Sequence, residues 1–327
     1  MKRSVATHTI GVKAPPLDNP DLVLKGAGHY ELGCRPCHGS PGLNYPRIAH
    51  MMTPHPPYLP PRIGGWEPKE LFYIVKHGVK FTGMPAWPAL HRDDEIWAMV
   101  AFLNKLPELD EAGYRHLVHG ESRPTTPIEA LGGAEQVPKA ALESCARCHG
   151  YDGIARGTGA FPHLAGQRVE YLQNSLESYA NSRRHSGIMQ PIAANLDAET
   201  IRALSHYFAA QRPADPPPPD EKEAAAVARG KIIAHQGIPE QRLPSCMDCH
   251  STEGRHHKPA YPSLSGQPAD YLELQLQLLS KAGRGGSEYV HLMHAVAPRM
   301  KPEQMRDVAL YFQSLHHGDR TQGDPRR

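Results

Sequence analysis

All six cysteines of this 327-residue chain fall into three copies of one short pattern. The pattern is Cys-x-x-Cys followed directly by His, and it covers residues 34–38, 145–149 and 246–250. Two thiols one helical turn apart can each form a thioether with the same porphyrin edge, and the next histidine is then carried under the iron. The spacing therefore predicts three covalently bound haem c groups. The predicted haem-binding residues are Cys34, Cys37, His38, Cys145, Cys148, His149, Cys246, Cys249 and His250.

Other chemistries also use Cys-x-x-Cys. Zinc ribbons combine two such knuckles in one four-ligand site, and thioredoxin-like sites use one for redox exchange. Three knuckles do not pair off, and each copy here has its own nearby helical segment. Six cysteines are too few to staple a chain of this length with disulfides. The repetition favours haem over zinc or a disulfide framework.

The sixth iron ligand decides whether such an iron is open to a substrate, and a repeated helix locates the candidates. Each unit closes with a helix whose apolar residues have i, i+3, i+7 spacing, and a methionine stands twelve residues before the first of them. A methionine that only fills space in a core would not be expected at the same position in all three units. The first apolar residues are Ile96, Ile201 and Met305, and the predicted sixth ligands are Met84, Met189 and Met293. The predicted metal ligands are thus His38, Met84, His149, Met189, His250 and Met293.

Other side chains near these positions compete as sixth ligands. They are His50, Met51, Met52 and His55 in the first unit, and His291, His294 and Met300 in the third. Met300 stands where the second unit has Leu196, which favours a core position for it. A backbone carbonyl that accepts the free N–H of the iron-binding histidine would fix its ring. Pro162 and Pro262 occupy matching places for this role, whereas several prolines compete in the first unit.

The elements that position these residues are predicted to be helical throughout. Asp21 and Asp93 are predicted N-caps, and residues 1–20 are predicted to be an extended arm. Residues 107–137 are predicted to be a connector with some local structure, and residues 213–219 a stiff proline-rich linker. The closing helices are predicted over residues 94–106, 198–211 and 302–315, a further helix over residues 221–235, and the three candidate methionines in loops. Gly26 and Tyr30 lie on one face of a predicted helix, where a second helix could cross closely. A polar tail follows residue 316. The leucines at 272, 274, 276 and 278 alternate as in a strand, but a lone strand would have no partner, so we predict a helix.

The fold class is therefore all-α, with three tandem domains over residues 21–119, 134–212 and 220–318. Domains this small bury little apolar surface, so a covalent haem would complete each core. The formal net charge is +2, and no basic run with interleaved aromatics suggests nucleic-acid binding. Six haem propionates would bring the charge to about −4.

No segment approaches the roughly 18 apolar residues of a membrane span. The first three residues resemble the start of a signal peptide, but residues 4–24 lack its apolar core. We expect the signal peptide to be absent from the given sequence and the protein to be periplasmic, because bacteria attach haem covalently outside the cytoplasm.

Together these features resemble the class I cytochrome c family. Residues 161–167 match residues 261–267, and this pair of units is similar to the fused diheme cytochromes c of bacterial respiratory chains. Residues 82–87, with Trp97, resemble single-haem modules attached to oxidases and dehydrogenases. The resemblance implies three class I cytochrome c domains in tandem, a triheme arrangement.

The expected function is electron transfer between a dehydrogenase donor and a terminal oxidase or another cytochrome, without enzymatic activity. Histidine and methionine together close the iron to substrates. One alternative is an electron-transfer subunit bound permanently to a dehydrogenase. The other is a multihaem peroxidase, which needs one haem with an exchangeable face.

Overall fold

The computed structural model describes residues 2–43, 47–120, 131–218, 220–251 and 254–316. Within these ranges it contains helices and loops but no β-strand, as the all-α prediction requires. The helices before residue 120 are α1 (Lys2–His8), α2 (Pro20–His29), α3 (Arg35–His38), α4 (Arg47–His50), α5 (Pro68–His77), α6 (Asp93–Lys105) and α7 (Glu111–His119). Those that follow are α8 (Lys139–His149), α9 (Val169–Ala180), α10 (Met189–Ala193), α11 (Ala198–Ala210), α12 (Ala224–Gln236), α13 (Met247–His250), α14 (Ala269–Ser280), α15 (Val290–Val296) and α16 (Pro302–Gln313).

The chain forms two compact units, called unit 1 and unit 2. They differ from the three sequence repeats, which are called the first, second and third unit. Unit 1 contains Met1–Pro127 and Tyr179–Asn195, and unit 2 contains Ile128–Ser178 and Leu196–Arg327. None of the helices within the described ranges is long and apolar enough to cross a membrane.

Unit 1 is organised by the crossing of α2 and α6 at a glycine. A Cβ atom at Gly26 would lie 2.3 Å from the carbonyl oxygen of Ala98 and 2.6 Å from Cβ of Phe102. Only a residue without a side chain permits this approach. The rings of Tyr30 and Phe102 pack beside the crossing with centroids 5.1 Å apart, and both are fully buried. The close helix crossing predicted at Gly26 and Tyr30 is confirmed.

Unit 2 repeats this arrangement where α12 crosses α16. A Cβ atom at Gly230 would lie 2.0 Å from the carbonyl oxygen of Asp307. Beside the crossing, Nε and Nη2 of Arg229 each donate to one carboxylate oxygen of Asp307, both at 2.7 Å. A bidentate pair of this kind fixes geometry as well as charge. The helix next to it, α14, confirms the helical prediction for the alternating leucines.

The predicted extended arm over residues 1–20 is wrong for residues 2–8, which form α1. Val5 and Thr9 are buried, and the His8 ring stacks on Tyr73 of α5 at 5.1 Å. A seven-residue helix is unstable alone, so tertiary packing must stabilise it.

Both predicted N-caps lie inside their helices. Oδ1 of Asn19 accepts the backbone N–H of Asp21 at 2.8 Å, so α2 begins at Pro20. Arg92 is the N-cap residue of α6, and Asp93 is its first helical residue. Acidic residues are favoured throughout the first turn by the helix dipole, and this makes them resemble caps in the sequence.

The local structure expected within residues 107–137 includes α7, whose position the sequence did not specify. Tyr114 and Val118 of this helix are buried, and the Tyr114 hydroxyl donates to Oε2 of Glu31 at 2.7 Å. Helix α12 begins at Ala224, three residues later than predicted. The predictions for residues 121–130 of the connector, for Pro219 of the linker and for the tail after residue 316 lie outside the described residues.

Candidate functional site

None of the six cysteines forms a disulfide, and all six are at least partly buried. Burial raises the pKa of the first thiol of each stretch, at Cys34, Cys145 and Cys246, to about 12. Burial also raises the pKa of Cys148, to about 11. Burial in apolar surroundings disfavours the charged thiolate at these four positions. The buried cysteine pairs fit covalent attachment to an apolar porphyrin edge.

Each motif histidine makes the same hydrogen bond, from Nδ1 to the carbonyl oxygen of a proline. The pairs are His38 with Pro57 at 2.9 Å, His149 with Pro162 at 3.0 Å and His250 with Pro262 at 3.0 Å. A carbonyl oxygen only accepts, so Nδ1 must carry the proton, and Nε2 keeps its lone pair on the other side of the ring. Burial lowers the pKa of all three histidines, which favours the neutral ring that a metal needs.

The predicted partners Pro162 and Pro262 are confirmed, and Pro57 takes their place in the first unit. Two bonds hold the loop that carries Pro57 near His38. The backbone N–H of Leu59 donates to the carbonyl oxygen of His38 at 3.2 Å, and the Tyr58 hydroxyl donates to that of Ser40 at 2.9 Å. The histidine and its acceptor are therefore fixed by the same loop.

The three predicted methionine ligands are half-buried but lie in different local structures. Met84 lies in the loop between α5 and α6, where its N–H donates to Oγ1 of Thr82 at 3.1 Å. Met189 is the first residue of α10, and Met293 lies inside α15, so the prediction of a loop is wrong for these two. Unit 1 contains His38, Met84 and Met189, and unit 2 contains His149, His250 and Met293.

Of the seven competing ligand candidates, Met300 lies in the core, His294 is engaged in a hydrogen bond and Met51 is exposed. Met300 is 7% exposed in the core of unit 2, which confirms the core position suggested by its match to Leu196. Nε2 of His294 donates to the carbonyl oxygen of Arg284 at 2.8 Å. Met51 is 82% exposed.

A cavity of about 480 Å³ lies beside the third stretch. Its walls include Cys249, Arg255, His256, Lys258 and Tyr261. Cys249 is a predicted attachment point, and the basic side chains provide a wall that complements carboxylates. These residues fit an apolar ring that carries propionate groups.

Two glutamines of unit 2 form a reciprocal clamp that sequence reasoning did not find. Oε1 of Gln267 accepts the N–H of His163 at 3.1 Å, and its Nε2 donates to the carbonyl oxygen of His163 at 2.8 Å. Gln167 binds the backbone of Ser263 in the same way, at 2.7 and 2.9 Å. His163 and Ser263 directly follow the prolines that hold the motif histidines. The matching sequences of residues 161–167 and 261–267 indicated a repeat. They did not indicate that each copy forms hydrogen bonds with the backbone of the other.

Unit 1 contains a buried carboxylate that sequence reasoning also missed. Glu95, in the first turn of α6, is 3% exposed. Its Oε1 accepts from Oγ of Ser186 at 2.6 Å and pairs with Nη2 of Arg92 at 3.0 Å. Its Oε2 accepts from the N–H of Gly187 at 2.6 Å and from Nε1 of Trp87 at 3.2 Å. Burial raises the pKa of Glu95, and Arg92 opposes that shift.

Helical units in which buried Cys-x-x-Cys-His stretches have carbonyl-anchored histidines define a c-type cytochrome. Residues 21–103 match the family described as cytochrome c oxidase, cbb3-type, subunit III, and residues 227–316 match the family described as cytochrome c. These segments include the stretches at Cys34 and Cys246, which supports covalent haem c at both. Residues 145–149 lie between the two matched segments.

Relatives among known proteins agree with this class. Cytochrome c-552 of Acidithiobacillus ferridurans is 34% identical over 191 residues, which are 57% of this chain and 80% of that protein. A thiosulfate dehydrogenase electron acceptor of Thiomonas intermedia (strain K12) is 35% identical over 175 residues, 54% of this chain and 79% of that protein. The solved cytochrome c4 of Acidithiobacillus ferrooxidans is 34% identical, with 52% of this chain and 98% of that chain covered and a TM-score of 0.46. The chain belongs to the class I cytochrome c family of electron-transfer proteins.

Proposed function

We propose that the protein is a periplasmic electron carrier with three covalently bound haem c groups in three tandem domains. The observation that carries this proposal is the hydrogen bond shared by all three motif histidines. The stretch of His149 lies between the two segments that match cytochrome families. Nδ1 of His149 lies 3.0 Å from the carbonyl oxygen of Pro162, and Nδ1 of His250 lies at the same distance from that of Pro262. A histidine held in the metal-binding tautomer in all three places supports three haems rather than two.

Each iron is proposed to have one histidine and one methionine ligand. The proposed histidine ligands are His38, His149 and His250, and the proposed methionine ligands are Met84, Met189 and Met293. His38 and Met84 lie in unit 1, and His250 and Met293 lie in unit 2. The assignment of Met189 rests on the twelve-residue register, which it shares with the other two methionines.

Bound haem supplies one-electron redox chemistry, and two strong axial ligands leave no position for a substrate. The chain's own residues provide the setting. The buried thiols anchor the ring, and the proline carbonyls hold each histidine proton on Nδ1. These residues position and insulate a redox centre, and none of them is assigned a catalytic role.

The proposed donor is a dehydrogenase, and the proposed acceptor is a terminal oxidase or another cytochrome. One relative is named a thiosulfate dehydrogenase electron acceptor, which makes thiosulfate dehydrogenase the first donor to test. Rapid reduction of the purified holoprotein by that enzyme with thiosulfate, and none without the enzyme, is the expected result. Reduction at the same rate by unrelated dehydrogenases would contradict this choice of donor.

A count of haems tests the central proposal. The holoprotein is expected to contain three haems per chain, measured by intact mass and by the absorbance of the reduced pyridine complex. The variant Cys145→Ala with Cys148→Ala should contain two, and so should the matched variant Cys246→Ala with Cys249→Ala. Two haems in the unaltered protein would refute the three-haem proposal, and a high-spin signal at neutral pH would refute closed irons throughout.

The match of residues 21–103 to an oxidase subunit family favours a second candidate, an electron-transfer subunit that stays bound to an enzyme. Stable co-purification with an oxidase or a dehydrogenase at high salt would support this candidate. Recovery of the free chain would support a diffusing carrier.

A further inference from the structure

We propose that Glu95 is a positioning residue for two axial methionines at once, because it holds both the segment that carries Met84 and the segment that carries Met189. This inference rests on the histidine and methionine ligation proposed above. All of the contacts that support it lie within unit 1.

On the Met189 side, the link is the hydroxyl group of Ser186, which is 2% exposed. A hydroxyl group has one proton to donate and two lone pairs that accept. Ser186 donates its proton to Oε1 of Glu95 at 2.6 Å. The same oxygen then accepts the backbone N–H groups of Ile188 at 3.2 Å and of Met189 at 3.0 Å. Glu95 therefore orients the hydroxyl group that fixes the first turn of α10, where Met189 lies.

Two further hydrogen bonds hold the same segment. The backbone N–H of Gly187 donates to Oε2 of Glu95 at 2.6 Å. Nη1 of Arg92 donates to the carbonyl oxygen of His185 at 2.7 Å. Three consecutive residues before Ile188 are thus bound to the start of α6.

On the Met84 side, the link is the indole of Trp87, three residues further along the chain. Its Nε1 donates to Oε2 of Glu95 at 3.2 Å, and the side chain is only 6% exposed. A Cβ atom at Gly187 would lie 2.0 Å from this nitrogen, so the two segments meet in direct contact. The backbone N–H of Trp87 donates to the carbonyl oxygen of Lys76 at 3.0 Å. Because the indole and the backbone of Trp87 are both fixed, the segment from Met84 to Trp87 has little freedom to move.

A carboxylate suits this position because four donors converge on two oxygens. Hydrogen bonds to a charged acceptor are stronger than neutral ones, and Arg92 compensates the buried charge. A glutamine in this place has one acceptor oxygen, so it can serve one pair of donors but not both. Glu95→Gln should therefore loosen both methionine segments without removing either ligand.

The test uses the oxidised holoprotein and the absorption band that methionine gives when bound to ferric haem. Separate substitutions Met84→Ala, Met189→Ala and Met293→Ala first assign the contribution of each methionine. Glu95→Gln is expected to weaken the Met84 and Met189 contributions and to leave that of Met293. Ser186→Ala should weaken that of Met189 alone, and Trp87→Phe that of Met84 alone.

Matched controls separate positioning from general destabilisation. Glu70→Gln changes another buried glutamate of unit 1, whose Oε2 accepts a local bond from the N–H of Glu67 at 2.9 Å. Ser205→Ala removes a buried hydroxyl group that donates within α11. A Glu95→Gln spectrum no weaker than that of Glu70→Gln, or an equal loss at all three methionines, overturns the inference. If replacing Met84 or Met189 leaves the band intact, the proposed ligation has failed, and the inference fails with it.

Discussion

At the scale of single residues, the chemistry of each motif depends on where one proton lies. The proline carbonyl that accepts from Nδ1 leaves Nε2 as the only ring nitrogen with a lone pair. The same bond adds electron density to the ring and makes it a more basic ligand. The Cys-x-x-Cys-His pattern alone specifies none of this, because the acceptor lies 12 residues from His250, 13 from His149 and 19 from His38.

His29 provides a pH prediction at this scale. Burial lowers its pKa from 6.5 to about 4, and its ring lies 4.7 Å from that of Trp87. As the pH falls from 6.5 to 4, the unfolded chain binds a proton that the folded protein does not, so stability decreases over this window. The contribution of His29 to this loss is at most about 3 kcal/mol. His29→Phe should remove it.

Urea denaturation of the holoprotein between pH 7 and pH 4 measures this difference. The free energy of unfolding of His29→Phe should fall less steeply with pH than that of the unaltered protein. The same substitution at exposed His91 serves as the control. Parallel curves for the unaltered protein and His29→Phe would show that His29 is protonated in the folded state.

Residue types and spacing alone predicted the repeated features of the site. Cys, His and Met positions recur three times in one register, so each copy supports the others. Glu95 has no such repetition and stands among the acidic residues Asp93 and Asp94, which look like ordinary first-turn residues. Its partners Ser186 and Gly187 are more than ninety positions away, and only folding brings them together.

At the scale of elements, the two helix crossings depend on glycine. Gly26→Ala gains helix propensity of about 1 kcal/mol, but it places a methyl group 2.3 Å from a backbone carbonyl oxygen, and overpacking costs about 1–3 kcal/mol. Because the obstacle is backbone, which yields little, we expect a net loss of stability of up to about 2 kcal/mol. Gly230→Ala, with its methyl group 2.0 Å from the Asp307 oxygen, should lose at least as much.

Thermal unfolding followed by far-ultraviolet circular dichroism checks both glycine variants. Gly64→Ala is the matched control, because a Cβ atom there would meet nothing within 4 Å. Its stability should stay within about 0.5 kcal/mol of the unaltered protein. A stabilised Gly26→Ala variant would mean that α6 can move away from α2 at little cost.

The helices that the sequence predicted well are those with a clear apolar stripe. The closing helices α6, α11 and α16 begin within a residue of the expected positions because their i, i+3, i+7 residues face a core. Helices α1 and α7 have only two and four apolar residues, respectively, and their stability comes from contacts such as that of Tyr114 with Glu31. Local propensity does not contain that information.

At the scale of the whole molecule, the glutamine clamp predicts crossed effects within unit 2. Gln267 holds the peptide next to Pro162, so Gln267→Ala should change the haem proposed at His149 more than the one at His250. Gln167→Ala should do the reverse. A weaker bond from Nδ1 makes the histidine less basic, and the affected haem potential should rise by about 20–40 mV, or roughly 0.5–1 kcal/mol.

A spectroelectrochemical titration with the haems assigned by methionine variants measures these shifts. Gln173→Ala is the control, because the Gln173 amide donates to Glu177 within its own helix. Shifts confined to the haem of the substituted residue's own repeat would contradict the crossed arrangement.

The reciprocal clamp also gives unit 2 the contact geometry of an isologous dimer, in which the same residue serves both sides of an interface. Gln167 and Gln267 make the same pair of backbone hydrogen bonds to opposite repeats. The linker through residues 213–218 therefore joins two repeats that already bind each other by matching contacts. The two repeats are thus under a shared constraint, since a change at one clamp position alters the haem surroundings of the opposite copy. Cleavage of that linker should leave the two halves associated as a noncovalent pair.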